Sequence, residues 1–286
     1  MMDFKIKEDI EIVKELTGLN FSDLSSRIGV SEQTILNWCD EKTDISYENV
    51  EKFYNFTFCE NIRLNVIREH LLIEENKSPE KIILFHGAKT DISGEISIEK
   101  SRAANDFGKG FYCGQSLEQS AMFVSGYSDS SLYMIEFDTA NLTHTDFFVD
   151  RDWMLTIAYF RGKLNEYENH PIIKTLRERV NSSDYIIAPI ADNRMFEIID
   201  SFIAGEITDV QCRHCLSATN LGNQYVFKTD KAVKNLKIVY HCYLCDKEKQ
   251  YYMKSKIEES KIGNDKVKIA RKQFRGQGQY IEEILQ

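Results

Sequence analysis

The sequence predicts an α+β protein in which a small all-α domain precedes a mixed β-sheet domain, and three observations carry that expectation. The first fifth of the chain shows short helical periodicities, the remainder shows short apolar runs of strand type, and helical stretches fall between those runs in no strict alternation. Strict alternation would announce a parallel doubly wound sheet; its absence favours α+β. The 286 residues, 42% of them apolar, suffice for one large core or two modest ones.

Residues 1–58 read as several short helices. At their centre Leu24 and Ile28 are spaced to share a helix face, Gly29 permits a tight turn, Ser31 can cap the next helix, and Ile35 with Trp38 would face back into a core. That order predicts a helix-turn-helix, and residues 21–40 resemble the small DNA-binding domains of bacterial phage-repressor type. The second helix, from Ser31 to Asp40, holds no Lys or Arg; its polar residues are Glu32, Gln33, Thr34 and Asn37. Gln and Asn can read adenine edges, but a segment carrying Asp3, Glu8, Asp9, Glu11, Glu15, Glu41, Asp44, Glu48 and Glu51 offers few phosphate anchors. DNA binding through residues 21–40 and a helical docking module for a protein partner both stay open.

A charged helical linker, residues 59–80, ends at Ser78-Pro79. A sheet domain, residues 81–246, follows. Its strands are expected from Lys81 to His86, Ser131 to Phe137, Tyr185 to Ile190, Gln224 to Phe227 and Lys237 to Tyr240, with helices near Leu117 to Ser125, Trp153 to Arg161 and Ile172 to Asn181. Residues 247–286 read as a charged helical tail, in which Lys254, Lys256, Lys261, Lys266, Lys268, Arg271, Lys272 and Arg275 outnumber the nearby acids. It is either a basic patch or a solvated helix face.

Composition narrows the function classes. A formal charge of −9 and a pI near 5.3 argue against broad non-specific binding of phosphate polymers. No apolar run approaches the ~20 residues of a membrane helix, and the start Met1-Met2-Asp3-Phe4-Lys5 lacks the basic-then-apolar order of a secretion signal. The expectation is a cytoplasmic protein with no membrane partner, in which seven cysteines stay reduced and serve metal binding or burial.

Chemistry is expected where the first strand ends, at Leu84-Phe85-His86-Gly87, and at the later segment Asp106-Phe107-Gly108-Lys109-Gly110-Phe111-Tyr112. Neither G-x-G-x-x-G nor the Walker lysine-serine pair is present, so nucleotide loops of those kinds are excluded. Behind the tyrosine, Ser120 and Phe123 stand one helical turn apart. Together these residues resemble the nicotinamide pocket of the diphtheria-toxin and poly(ADP-ribose) polymerase branch, the His-Tyr-Glu type, of the ADP-ribosyltransferases. A bacterial branch with helical N-terminal segments is the nearest likeness, and the resemblance runs from about Ile82 to Leu236. It implies a split mixed β-sheet that binds NAD. His86 would hold the nicotinamide-side ribose, the Gly87 backbone would pair with the carboxamide, and Tyr112, reached through Gly110, would stack on the ring. Ser120 would bond the carboxamide and Phe123 would close the other face.

The third motif departs from that family. Its catalytic glutamate commonly lies in Asn-Glu-Tyr, whereas this chain reads Asn223-Gln224-Tyr225. Breaking the bond between ribose and nicotinamide passes through an oxocarbenium-like state that a carboxylate stabilises. Gln224 can accept from a ribose hydroxyl but forfeits about 2–4 kcal/mol of electrostatic help. The resemblance therefore implies mono-ADP-ribosyl transfer to a protein or nucleic-acid acceptor, in the manner of toxins held by a small antitoxin partner or acting in phage defence. A non-catalytic, NAD-sensing DNA-binding regulator is the alternative. A replacement carboxylate is sought at Asp192, with Arg194 beside it and Arg102 elsewhere as diphosphate ligands; a salt-bridged turn and a surface arginine are the plainer readings.

Cys212, Cys215, Cys242 and Cys245 form two C-x-x-C pairs on either side of Gln224. Either they hold a structural zinc, or at least one pair is buried on a helix face as small apolar residues. Cys39, Cys59 and Cys113 read as free thiols.

Overall fold

The computed structural model describes residues 4–40, 42, 45–218 and 221–286. Of the residues named above, Met1, Met2, Asp3, Glu41 and Asp44 lie outside the described residues.

Among the described residues five helices come first: α1 (Ile6–Thr17), α2 (Phe21–Ile28), α3 (Glu32–Cys39), α4 (Tyr47–Cys59) and α5 (Leu64–Glu75). The side chain of Asn20 caps α2 by accepting from the Asp23 N–H, and Ser31 caps α3 by accepting from the Thr34 N–H. Between them Gly29 takes a left-handed φ of 81°, so α2 and α3 make the expected turn. Ile10, Val13, Leu24, Ile35 and Phe53 fill the core beneath.

The strands are β1 (Lys81–Ala88), β2 (Phe111–Gly114), β3 (Ser131–Asp138), β4 (His144–Asp146), β5 (Tyr185–Pro189), β6 (Asn223–Phe227) and β7 (Leu236–Cys242). Among the described residues they form one mixed sheet in the order β4-β5-β6-β2-β1-β3-β7, with β4 and β5 parallel and the other neighbours antiparallel. The helices among them are α6 (Leu117–Val124), α7 (Arg151–Phe160), α8 (Pro171–Asn181), α9 (Asn193–Ile203), α10 (Asp209–Ser217) and α11 (Asp230–Val233). Pairing is uneven. β1 runs along β3 from Lys81↔Asp138 to Ala88↔Ser131, and β2 runs along β6 from Phe111↔Phe227 to Gly114↔Gln224. Yet β1 and β2 share, among the described residues, the single pair Phe85↔Gly114. Two well-paired half-sheets thus meet at one point.

Alternation along the strands distributes the cores. Phe85, Leu132 and Met134 face α6, Ile186 and Val226 join Trp153 and Phe202 in the main helical core, and Leu84, Ile135 and Phe227 cover the opposite face.

The C-terminal segment is helical and packed. Residues 247–286 form α12 (Asp246–Gln273) and α13 (Ile281–Ile284), and Ala270, Ile281, Ile284 and Leu285 are buried in the main core. Val267, Ala270 and Phe274 make an apolar stripe at helical spacing under the charged face; the lysines report only the solvated side. The N-terminal helices are likewise docked, since Tyr243 and Cys245 belong to their core. Among the described residues no helix is long and apolar enough to cross a membrane.

At that seam Glu248 on α12 is buried and accepts from Asn65 Nδ2 on α5 at 3.2 and 3.3 Å. Burial pushes its carboxyl up to about 7. Between the unfolded value near 4.5 and about 7 the folded chain holds a proton that the unfolded chain has released, so stability falls as pH rises through that window. Glu248→Gln should therefore flatten the profile and stabilise the chain at pH 8 by on the order of 2–3 kcal/mol. Urea titrations at pH 4.5 and 8 check this; an unchanged difference between the two pH values refutes it.

Candidate functional site

The point where the half-sheets part is built around His86. Continuing the Phe85↔Gly114 register would set Gly87 against Tyr112, but no further pair forms among the described residues. Instead the imidazole spans the opening, with Nδ1 2.6 Å from the Tyr112 carbonyl oxygen and the ring stacked on Phe111 at 4.3 Å. A carbonyl only accepts, so Nδ1 carries the hydrogen and Nε2 is left as an acceptor. Burial lowers the His86 pKa from the ordinary histidine value, although the bond to Tyr112 opposes it, and so favours the neutral ring.

Bare backbone lines the α6 side of the opening. A Cβ on Gly87 would lie 2.6 Å from Val124 Cγ1, 3.1 Å from the Ser120 carbonyl oxygen and 3.6 Å from Phe123 Cδ1. A Cβ on Gly114 would lie 2.6 Å from Ser120 Oγ. Only glycine at both positions lets α6 sit this close, which brings Ser120 and Phe123 over the ends of β1 and β2. Ser120 is buried, whereas Phe123 is 56% exposed, unusual for so large an apolar ring.

Tyr112 is held from the other side. Its hydroxyl donates to the Gly108 carbonyl at 2.7 Å and accepts from the Phe107 N–H at 3.1 Å, while its ring packs on the main core. Lys228 Nζ donates to the carbonyls of Phe107 and Lys109, both at 2.6 Å, and its burial pulls its pKa down to about 8. Gly110 is a packing residue: a Cβ there would meet the Phe227 carbonyl oxygen and Val226 Cγ1, both at 2.9 Å. The segment from Asp106 to Tyr112 is thereby fixed against β6.

Gln224 sits opposite Gly114 in the ladder and is buried. Its Nε2 donates to Asp106 Oδ2 at 2.8 Å and to the Pro189 carbonyl at 3.1 Å. Asp106 Oδ1 accepts from Arg161 Nε at 2.8 Å and also from Nη2, and Arg161 Nη2 donates to the Ala191 carbonyl at 2.7 Å. A buried carboxylate thus stands directly behind Gln224, supplied by Asp106. Local sequence holds no sign of it, because the arginine that compensates its charge lies at the end of α7.

The other expected residues fall elsewhere. Asp192 caps α9, accepting from the Met195 N–H at 2.8 Å. Arg194 Nη1 donates to the Ser260 carbonyl on α12 at 3.0 Å, and Arg102 lies exposed in the loop before Asp106. The four paired cysteines fall in separate parts of the core. Cys212 and Cys215 line α10 in the main core, Cys242 packs against α6 and Cys245 packs with the N-terminal helices. Among the described residues no three His, Cys, Asp or Glu side chains gather as ligands. Burial also pushes all four thiols up.

A concavity of about 370 Å³ opens on the β5 flank of Gln224, lined by Phe148, Pro189, Ile190, Leu221 and Asn223 among others. It differs in place from the His86 opening, which lies beyond β2 on the other side of the Gln224 strand.

No curated protein and no solved structure matches the chain. Residues 82–238, from β1 into β7, match the model of a family described as "Protein of unknown function (DUF3990)". That span is more than half of the chain and holds His86, Asp106, Tyr112, Ser120, Phe123 and Gln224; the chain belongs to that family.

Proposed function

We propose that the chain is a mono-ADP-ribosyltransferase that takes NAD into the opening between β1 and β2. The observation that carries this reading is the neutral His86, whose Nδ1 is committed to the Tyr112 carbonyl and whose Nε2 remains an acceptor for a ribose hydroxyl. Gly87, Ser120 and Phe123 support it by offering backbone, a hydroxyl and an exposed ring at one corner. In the reaction the bond from ribose C1′ to the nicotinamide nitrogen breaks, and its electron pair leaves with nicotinamide. An acceptor nucleophile then bonds to C1′ and gives up its proton, and the groups around the ribose stabilise the cationic carbon between those events.

The experiment is incubation of the full chain with NAD labelled in the adenylate half, alone and with cell lysate. Release of nicotinamide and transfer of label to protein or nucleic acid are expected; no release and no transfer reject transferase activity. A second reading, an NAD-sensing DNA-binding regulator, is favoured only by the α2–α3 geometry, and it predicts NAD binding without release.

A further inference from the structure

We infer that Asp106 and Gln224 work as one unit, in which the buried carboxylate sets the amide so that its oxygen is the acceptor offered to the ribose; this rests on the proposed use of NAD. Both partners of Gln224 Nε2, Asp106 Oδ2 and the Pro189 carbonyl, can only accept. Turning the amide over would set oxygen against oxygen twice, so Oε1 is left as the acceptor, and it takes no hydrogen bond from the described residues. Asp106 is itself immobile. Arg161 grips its other oxygen, and the guanidinium is stacked on Phe196 at 4.3 Å and tied to the Ala191 carbonyl. A carboxylate one hydrogen bond behind an amide also polarises it, drawing negative charge onto Oε1.

Gln224 is therefore more than a glutamate that has been lost. A glutamate at this position would bring a second carboxylate against Asp106 and the Pro189 carbonyl with no hydrogen between them. The negative charge of the site has moved back by one side chain, and the amide relays it. As C1′ becomes cationic and nicotinamide leaves with the bonding pair, Oε1 holds the ribose hydroxyl and faces the developing charge. Asp106 acts through Gln224 and is a positioning residue.

The test is a double-mutant cycle on the full chain, read by thermal melting and by nicotinamide release from NAD. Gln224→Glu should lower Tm by about 6 °C, as expected for an uncompensated buried charge. It should also lower release by about 10-fold or more, because Oε1 loses its fixed place. Asp106→Asn should cut release to a similar degree, since the amide nitrogen of the substituted side chain, facing Gln224, would turn the Gln224 amide over. In Asp106→Asn/Gln224→Glu, Oδ1 of the new asparagine still serves Arg161 while its Nδ2 donates to the new carboxylate. The double variant should melt above Gln224→Glu and regain release to within about 3-fold of wild type, a coupling that only contacting residues show. An active wild type with Gln224→Glu at full rate, or losses that simply add in the double variant, overturns the pair alone. A wild-type chain inert toward NAD overturns the proposed function and the ribose role with it.

Discussion

His86→Asn should leave the chain folded and lower nicotinamide release by on the order of 10²-fold, the usual cost of losing one hydrogen bond that matters in the transition state. Asparagine suits the test because its Nδ2 reaches the place of Nδ1 and can keep the bond to the Tyr112 carbonyl, while nothing replaces Nε2. His86→Ala removes both contacts and should lose stability as well as activity, because the β1–β2 opening is bridged by this ring. The pair of variants separates bridging from ribose binding. Full activity in a folded His86→Asn chain would refute the outward role. The pH dependence gives an independent check. Nε2 accepts only while the ring is neutral, and burial lowers the pKa. Release should therefore stay flat as pH falls through the ordinary histidine value near 6.5, and decline only below it.

The elements around this site were unevenly legible in the order of residues, and the failures share a cause. Strands such as β1 and β3 announce themselves through short apolar runs, since both faces of the sheet are covered. β4 carries His144, Thr145 and Asp146, no apolar signal at all, and is a strand only because β5 lies beside it. Helical spacing set Ser120 and Phe123 on one side of α6; that Gly114 is what admits Ser120 was not legible, since a glycine says nothing of its neighbour. Asp192 was legible as something other than an acid in waiting. Met195, Ile198, Ile199 and Phe202 behind it have helical spacing, and an aspartate ahead of such a run is a cap. Cys212, Cys215 and Leu216 likewise share one helix face. Asp106 is the opposite case: an acid ahead of two glycines looks like a turn residue, and its pairing with Arg161 and Gln224 exists only once α7 and β6 are in place.

Asp9→Ala should cost about 3–5 kcal/mol of stability, the range for breaking a buried ion pair from one side. Asp9 on α1 is fully buried and accepts from Arg68 Nε at 2.8 Å, from Tyr54 Oη at 2.6 Å and from Tyr240 Oη at 2.9 Å, with Arg68 Nη2 at 2.6 Å. Those donors come from α4, α5 and β7, so one carboxylate joins the N-terminal helical unit to the edge of the sheet. Alanine leaves a guanidinium and two hydroxyls facing inward with no common acceptor, which is far costlier than deleting a surface pair. The two tryptophans make the consequence measurable, because Trp38 reports the helical unit and Trp153 the main sheet core. In single-tryptophan versions of the otherwise native chain, urea transitions at the two positions should coincide; with Asp9→Ala the Trp38 transition should move to lower urea ahead of Trp153. Coincident transitions within about 1 kcal/mol of wild type would show the carboxylate to be dispensable. Separated ones mean that the helices are held to the sheet by a polar joint, through which any change at the edge strand β7 reaches α1, α4 and α5 directly.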